Sequence, residues 1–259
     1  LAYKFNDFNT IDFKLIYNHS ASKNTTFLVG EDGENIIAPS YKLGRAQLWQ
    51  ERQMINYQVA GEHHLPKLGD LEIAWRGSIV NADRTEPNLR FFSSQYDAET
   101  GTEGIPLANV NDPYYFWRNL NDDIKVGAID FTLPILKQKN DGSKIKIGGF
   151  LSNKERNFDE YRYIIATPQY ATDYTGDIDA FFADDNTGLL RVDKLSGGRS
   201  RYVIGNYINE ATRVENSYAG YEDVSAAYAM VTISPLRKLK LIAGARLEST
   251  DIFVQSKIV

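Results

Sequence analysis

The chain has no cysteine and only three histidines and two methionines among its 259 residues. Without cysteine there is no disulfide framework and no thiolate metal site. No nucleophile is accompanied by a base, so no hydrolase constellation can be assembled. His63 and His64 are adjacent, and neighbours on a strand point to opposite faces, so the pair is a poor chelate and reads as interfacial polar residues. His19 is isolated. Asp173, Asp177, Asp179, Asp184 and Asp185 make one stretch acidic, but their spacing does not write a calcium loop. A Gly-rich phosphate loop is also missing.

Long hydrophobic runs are absent as well. The longest uncharged run near the C-terminus, residues 224–236, is too short and too mixed for a transmembrane helix. Mean hydropathy is −0.40 and the formal net charge is −5. Such values usually mark a soluble protein, yet they also suit a membrane barrel, in which half of each strand and all of the loops are polar. There is no initiator methionine, signal peptide or lipidation motif. Leu1, Tyr3 and Phe5 already alternate, and residues 252–259 still do, so the expectation is an internal piece of a longer polypeptide. The alternative is a small mature protein with a processed N-terminus.

What is abundant is tyrosine and phenylalanine, 16 and 13 residues, set in period-two patterns. In the segment 239–250, Leu239, Leu241, Ala243, Ala245 and Leu247 share one face; Lys240, Gly244, Arg246, Glu248 and Thr250 share the other. That is a strand with one dry and one wet face. The same pattern recurs with Ile11, Phe13, Leu15, Tyr17; with Ile55, Tyr57, Val59; with Leu71, Ile73, Trp75, Gly77, Ile79; with Gly127, Ile129, Phe131, Leu133, Ile135; and with Ile145, Ile147, Gly149, Leu151. About eight antiparallel strands in hairpins are predicted, with an apolar face about ten residues long, which is the length a tilted membrane strand needs. Asp141-Gly142 is a hairpin signal. Three long polar loops are expected over residues 20–42, 82–121 and 167–220. Short turns at one end and long loops at the other are the pattern of a transmembrane β-barrel.

Several segments, taken in order, carry a resemblance. They are Trp75-Arg-Gly-Ser78 with Asp83-Arg-Thr-Glu-Pro-Asn-Leu-Arg90, Phe116-Trp-Arg-Asn-Leu120, Ile129-Asp-Phe-Thr-Leu-Pro134, Lys144-Ile-Lys-Ile-Gly-Gly149, Arg156-Asn-Phe158, Tyr228-Ala-Met230 and residues 241–248. Together they resemble the barrel of TonB-dependent outer-membrane receptors, especially those of Bacteroidetes-like bacteria. The resemblance implies an all-β antiparallel wall segment, eight strands of a barrel of about 22 whose lumen is plugged. It implies a bacterial outer-membrane location and ligand uptake energised through TonB, and so a transport receptor that is not an enzyme and uses no cofactor. The implied partners are outer-membrane lipid, the remaining strands, a plug domain, TonB reached through an N-terminal region, and a surface lipoprotein in some relatives. Neither plug nor TonB box is found in these 259 residues, and no nucleic acid is implied.

Site candidates follow from that implication. Arg52, Arg76, Asp130, Lys146, Lys154, Arg156, Arg246 and Glu248 fall on the wet faces, where they contact a plug or line a ligand path, or simply form a polar wall. Tyr96, Tyr114, Tyr115, Phe116, Trp117, Tyr170, Phe181 and Phe182 are loop aromatics that supply amphipathic contact area to a ligand, or else an interface girdle. Recognition is expected to be shared between residues 83–122 and 167–220. Siderophore, oligosaccharide, peptide and vitamin all stay open. Two other architectures fit the alternation: a small closed eight-stranded outer-membrane barrel with a structural or adhesion role, and a soluble sugar-binding β-sandwich, which requires a second sheet over the apolar face.

Overall fold

The structure is a computed structural model that describes residues 1–31, 40–105, 113–135, 142–166, 174, 176–236 and 239–257. It is all-β. The main strands are β1 (Ala2–Asn6), β2 (Asn9–Gly30), β3 (Ser40–Leu65), β4 (Leu71–Asp97), a short β5 (Thr102–Gly104), β6 (Tyr114–Pro134) and β7 (Lys144–Ala166). After β7 come a one-turn helix α1 (Ile178–Phe181), a hairpin of β8 (Leu189–Lys194) and β9 (Ser200–Ile204), and β10 (Tyr207–Glu210). The chain returns to the main sheet with β11 (Tyr218–Leu236) and β12 (Leu239–Ser256).

One antiparallel sheet runs β1-β2-β3-β4-β6-β7-β11-β12, with β5 added to β4 and β10 to β7. The path has the eight strands expected, each beside its chain neighbour. Among the described residues β1 and β12 do not pair with each other, so the sheet is open. No helix among the described residues is long and apolar enough to cross a membrane.

The register shows what the alternation is for. Ile11, Gly61, Trp75, Ile129, Gly149, Ala227 and Leu247 stand side by side across seven strands. So do Phe13, Val59, Gly77, Gly127, Leu151, Ser225 and Ser249 one step higher. The apolar sets of separate strands therefore merge into one continuous band. Its upper limit is the row Leu15, Tyr57, Ile79, Lys125, Asn153, Asp223 and Asp251, where polar side chains take over from β6 onward.

Burial is inverted relative to a globular domain. Band residues are open: Ile147 is 49% exposed, Ile79 52% and Leu151 64%. Charged and polar residues on the opposite face are covered: Asp122 is 8% exposed, Glu160 8% and Thr232 2%. The apolar face is thus convex and the polar face concave. No second sheet covers the apolar face among the described residues, which removes the geometry that a sandwich requires.

Connections at the two ends differ as expected, but their lengths need correction. At one end β1 and β2 are joined through Asp7 and Phe8, with the Phe8 amide donating to Asn6 Oδ1 at 2.9 Å. There too β3 and β4 are joined by a 3₁₀ turn, Pro66–Leu68, closed by Gly69 and Asp70 at positive φ. Of the Asp141-Gly142 signal, Gly142 has φ 47° and Asp141 lies outside the described residues. At the other end the strands continue where loops were expected. β2 and β3 take up most of 20–42, and β4 and β6 most of 82–121. The stretch 167–220 holds α1 and three further strands.

Candidate functional site

Three charged clusters organise the concave face. In the first, Ala74, Asp130, Gly148, Tyr228 and Arg246 form one cross-strand row. Asp130 receives Lys146 Nζ at 3.1 Å and the Tyr228 hydroxyl at 2.5 Å, with Arg76 at 4.0 Å. In the second, Arg156 grips Asp122 with both arms of its guanidinium, each at 2.6 Å, and Lys154 stands 3.8 Å away. In the third, Arg118 donates to Glu160 at 2.7 Å and lies 3.8 Å from Glu86. Gln50 donates to Glu86 and Asn216 to Glu160, each at 2.6 Å. Two-pronged guanidinium–carboxylate contacts are the stronger, orienting kind.

These partners fix what the predicted wet-face residues can do. Arg76, Asp130, Lys146, Lys154 and Arg156 are brought together in two clusters, in each of which one carboxylate, Asp130 or Asp122, is shared by two cations. Arg246 and Glu248 pair with each other at 2.5 Å on the edge strand β12. Arg52 shares the concave face and stands opposite Arg84 in register. The result is a polar wall in which every carboxylate of the three clusters has a cationic partner.

The aromatic candidates do not form one patch. Tyr114, Tyr115, Phe116 and Trp117 were expected in a loop, but they open β6, so they alternate between faces. Tyr114 and Phe116 join Phe91 on the concave face, with Arg162 4.8 Å above the Tyr114 ring and Arg118 4.4 Å above Phe116. Tyr115 and Trp117 face the convex side with Tyr163, whose ring meets Trp117 edge-on at 5.4 Å. Tyr96 sits where β4 meets both β3 and β5. Tyr170 lies outside the described residues.

Phe181 and Phe182 belong to a fastening. Phe181, only 1% exposed, packs with Phe92, Tyr174 and Phe182. Beside this cluster Arg45 donates to Glu103 at 2.9 Å and to Ser94 at 3.0 Å, the Ser94 hydroxyl reaches Glu103, and Tyr174 donates to Glu103 at 3.2 Å. Burial pushes the Glu103 carboxyl upward, but the hydrogen bonds and charge of Arg45 and Ser94 outweigh it and hold Glu103 below the usual range. Burial and the neighbouring Glu103 charge push the Tyr174 phenol up to about 12. Sequence reading missed Arg45, Ser94, Glu103 and Tyr174 because they lie far apart in the chain and no motif links them.

The acidic stretch has local structural uses. Asp177 caps α1, accepting from the Asp179 and Ala180 amides at 2.9 and 3.1 Å. Among the described residues no cluster of His, Asp and Glu could hold a metal ion. His63 is tied up too: its Nε2 accepts from the Trp75 indole at 3.0 Å, which leaves its Nδ1–H to donate to Asn9 at 2.8 Å.

No family model, curated protein or solved structure matches this chain. The site therefore has to be read from its own geometry.

Proposed function

We propose that the chain is part of the barrel wall of a TonB-dependent outer-membrane receptor, which takes up a ligand across the outer membrane with energy delivered through TonB. The observation that carries this reading is the convex apolar band set against a concave, charged face. From Leu71 to Ile79 the band covers about 27 Å of strand. At a barrel tilt of about 40° that is roughly 20 Å of height, close to the ~25 Å of a membrane barrel's apolar belt. The short turns then face the periplasm and the long connections face outward.

Strand length supports a receptor over a minimal barrel. β3 has 26 residues and β4 has 27, against about 9–11 for a crossing alone. The surplus rises as a rigid wall beyond the membrane. The open edges support further strands. β1 covers only the beginning of β2, and β12 leaves an 18-residue edge. Unpaired strand edges cannot face lipid, because their polar groups have no other partner there. The polar concave face suits contact with a plug.

The test is the intact mass of the polypeptide that carries this sequence, recovered from an outer-membrane fraction. Scaling 29.3 kDa over eight strands to a barrel of about 22 gives roughly 80 kDa before any plug is added. A polypeptide of that size or larger in the outer membrane supports the receptor. One near 29.3 kDa overturns it and leaves the small closed barrel.

A further inference from the structure

A cleft opens on the convex side, well above the apolar band, where the segment after α1 folds against the sheet. Its volume is about 410 Å³, within the range of small-molecule sites, roughly 300–1,000 Å³. One wall is a ledge of three aromatic rings from β6 and β7: Tyr115, Trp117 and Tyr163. Trp117 is 39% exposed, so the ledge is open to a ligand. The other walls bring polar groups, including Arg90, Asp184 and Asn206. Arg90 is held in place, its guanidinium 5.5 Å above the Tyr115 ring and its Nε donating to Asn88 at 2.9 Å. Asn88 has φ 65°, at the irregularity where β4 shifts register against β6.

We infer that this cleft is a binding site for a neutral saccharide, with a pyranose ring lying on the Tyr115, Trp117 and Tyr163 ledge. A ring face presents a flat apolar surface that matches the C–H face of a sugar, and Trp117 is held between Tyr163, which it meets edge-on, and Tyr115, to which it is tilted at 45°. The polar groups suit hydroxyls better than an anion. Asp184 is an acceptor and would repel an anion. Asn206, 2% exposed, uses its amide nitrogen on the Phe181 carbonyl at 2.8 Å, and its Oδ1 is buried with no partner among the described residues. Both oxygens call for a donor, which a hydroxyl supplies and a phosphate oxygen does not. Arg90 supplies the complementary donors. The cleft opens away from the concave face, so it is separate from any path through a lumen, and the assignment does not depend on the barrel reading.

The test uses the intact polypeptide that carries this sequence, purified in detergent micelles and titrated calorimetrically with two sets of probes: free neutral oligosaccharides of glucose, galactose and mannose, and the same sugars as glycolipids in the micelle. Saturable binding in either arm is expected, and the arm that binds tells whether the sugar is free or lipid-borne. Trp117→Ala should weaken it roughly tenfold or more, as loss of an aromatic contact does. Asp184→Ala, which leaves the ledge intact, should weaken it as well. Trp49→Ala, at an exposed tryptophan outside the cleft, should bind as the parent does. No binding in either arm, or Trp117→Ala and Asp184→Ala both binding as tightly as the parent, overturns the assignment.

Discussion

Tyr228 lies against Gly148 and donates a hydrogen bond from its hydroxyl to Asp130 Oδ1 two strands away, at 2.5 Å. The contact exists because position 148 has no side chain: a Cβ there would stand 2.5 Å from both the Tyr228 ring and Asp130 Oδ1. An aromatic ring covering a strand glycine is a known way of pinning register. The same device recurs on the other face, where a Cβ on Gly61 would meet the Trp75 ring at 2.6 Å.

Gly148→Val should therefore dislodge Tyr228 and cost about 1–3 kcal/mol, the range of an overpacked site. Tyr228→Phe keeps the ring and loses only the hydroxyl. Asp130 still has Lys146 at 3.1 Å, so that loss should be near 1 kcal/mol. Urea-unfolding midpoints in detergent compare the two. If Gly148→Val unfolds no earlier than Tyr228→Phe, the ring is not held in place by the glycine.

A separate prediction concerns the segment after β7. Among the described residues Phe181 is the one large hydrophobic side chain fully enclosed there, between Phe92, Tyr174 and Phe182. Phe181→Ala should cost about 3–5 kcal/mol locally. Because α1 is one turn long, it has little stability of its own and should release with the ring. Limited proteolysis should then cut between 176 and 216 while the main sheet stays intact. Unchanged resistance would show that the segment is held by something other than this cluster.

The Glu103 and Tyr174 shifts give that fastening two pH limits. Glu103 is depressed in the folded state, so its contribution is present above the usual carboxylate range, near 4.3, and fades as pH falls through the lower folded value. Tyr174 is raised to about 12, so its contribution is full below an ordinary phenol value near 10 and fades as pH rises toward the folded one. Amide protection of residues 178–182, taken as exchange relative to the unstructured-chain rate at each pH, should thus fall below about pH 4 and above about pH 10. In Glu103→Gln the acid limb should disappear. An acid limb that survives this substitution would place the titrating group elsewhere.

Legibility of the fold tracks one physical contrast. Where one face is dry and the other wet, as from Leu71 to Ile79, the sequence alternates, and strand and facing could both be read. Above the band both faces are polar or both aromatic. Residues 82–97 and 114–121 then carry no alternation and read as loop, although β4 and β6 run straight through them. Tyr114-Tyr-Phe-Trp117 shows the cost: four aromatics that look like one patch are split between two faces. The charged residues of the concave face were legible one by one. Their partners were not, because Asp122 and Arg156, or Asp130 and Tyr228, meet only through register.

The facing of the sheet can itself be tested by charge. Ile147 is on the convex side, 49% exposed, between Phe131 and Ala229. If that surface meets lipid, Ile147→Arg costs about 2–4 kcal/mol near the middle of the belt. If it meets water, an arginine on an already exposed position costs almost nothing and improves solubility. Ser152→Arg, one residue beyond Leu151 and so on the concave face, serves as the control: it adds the same charge where the wall is already polar. On the receptor-wall reading, the Ile147 variant, expressed within the polypeptide that carries this sequence, should assemble in the outer membrane in reduced amount and unfold at lower urea. The Ser152 variant should assemble near the parent level. Equal assembly of both variants would remove lipid from the convex face, and the receptor-wall reading with it.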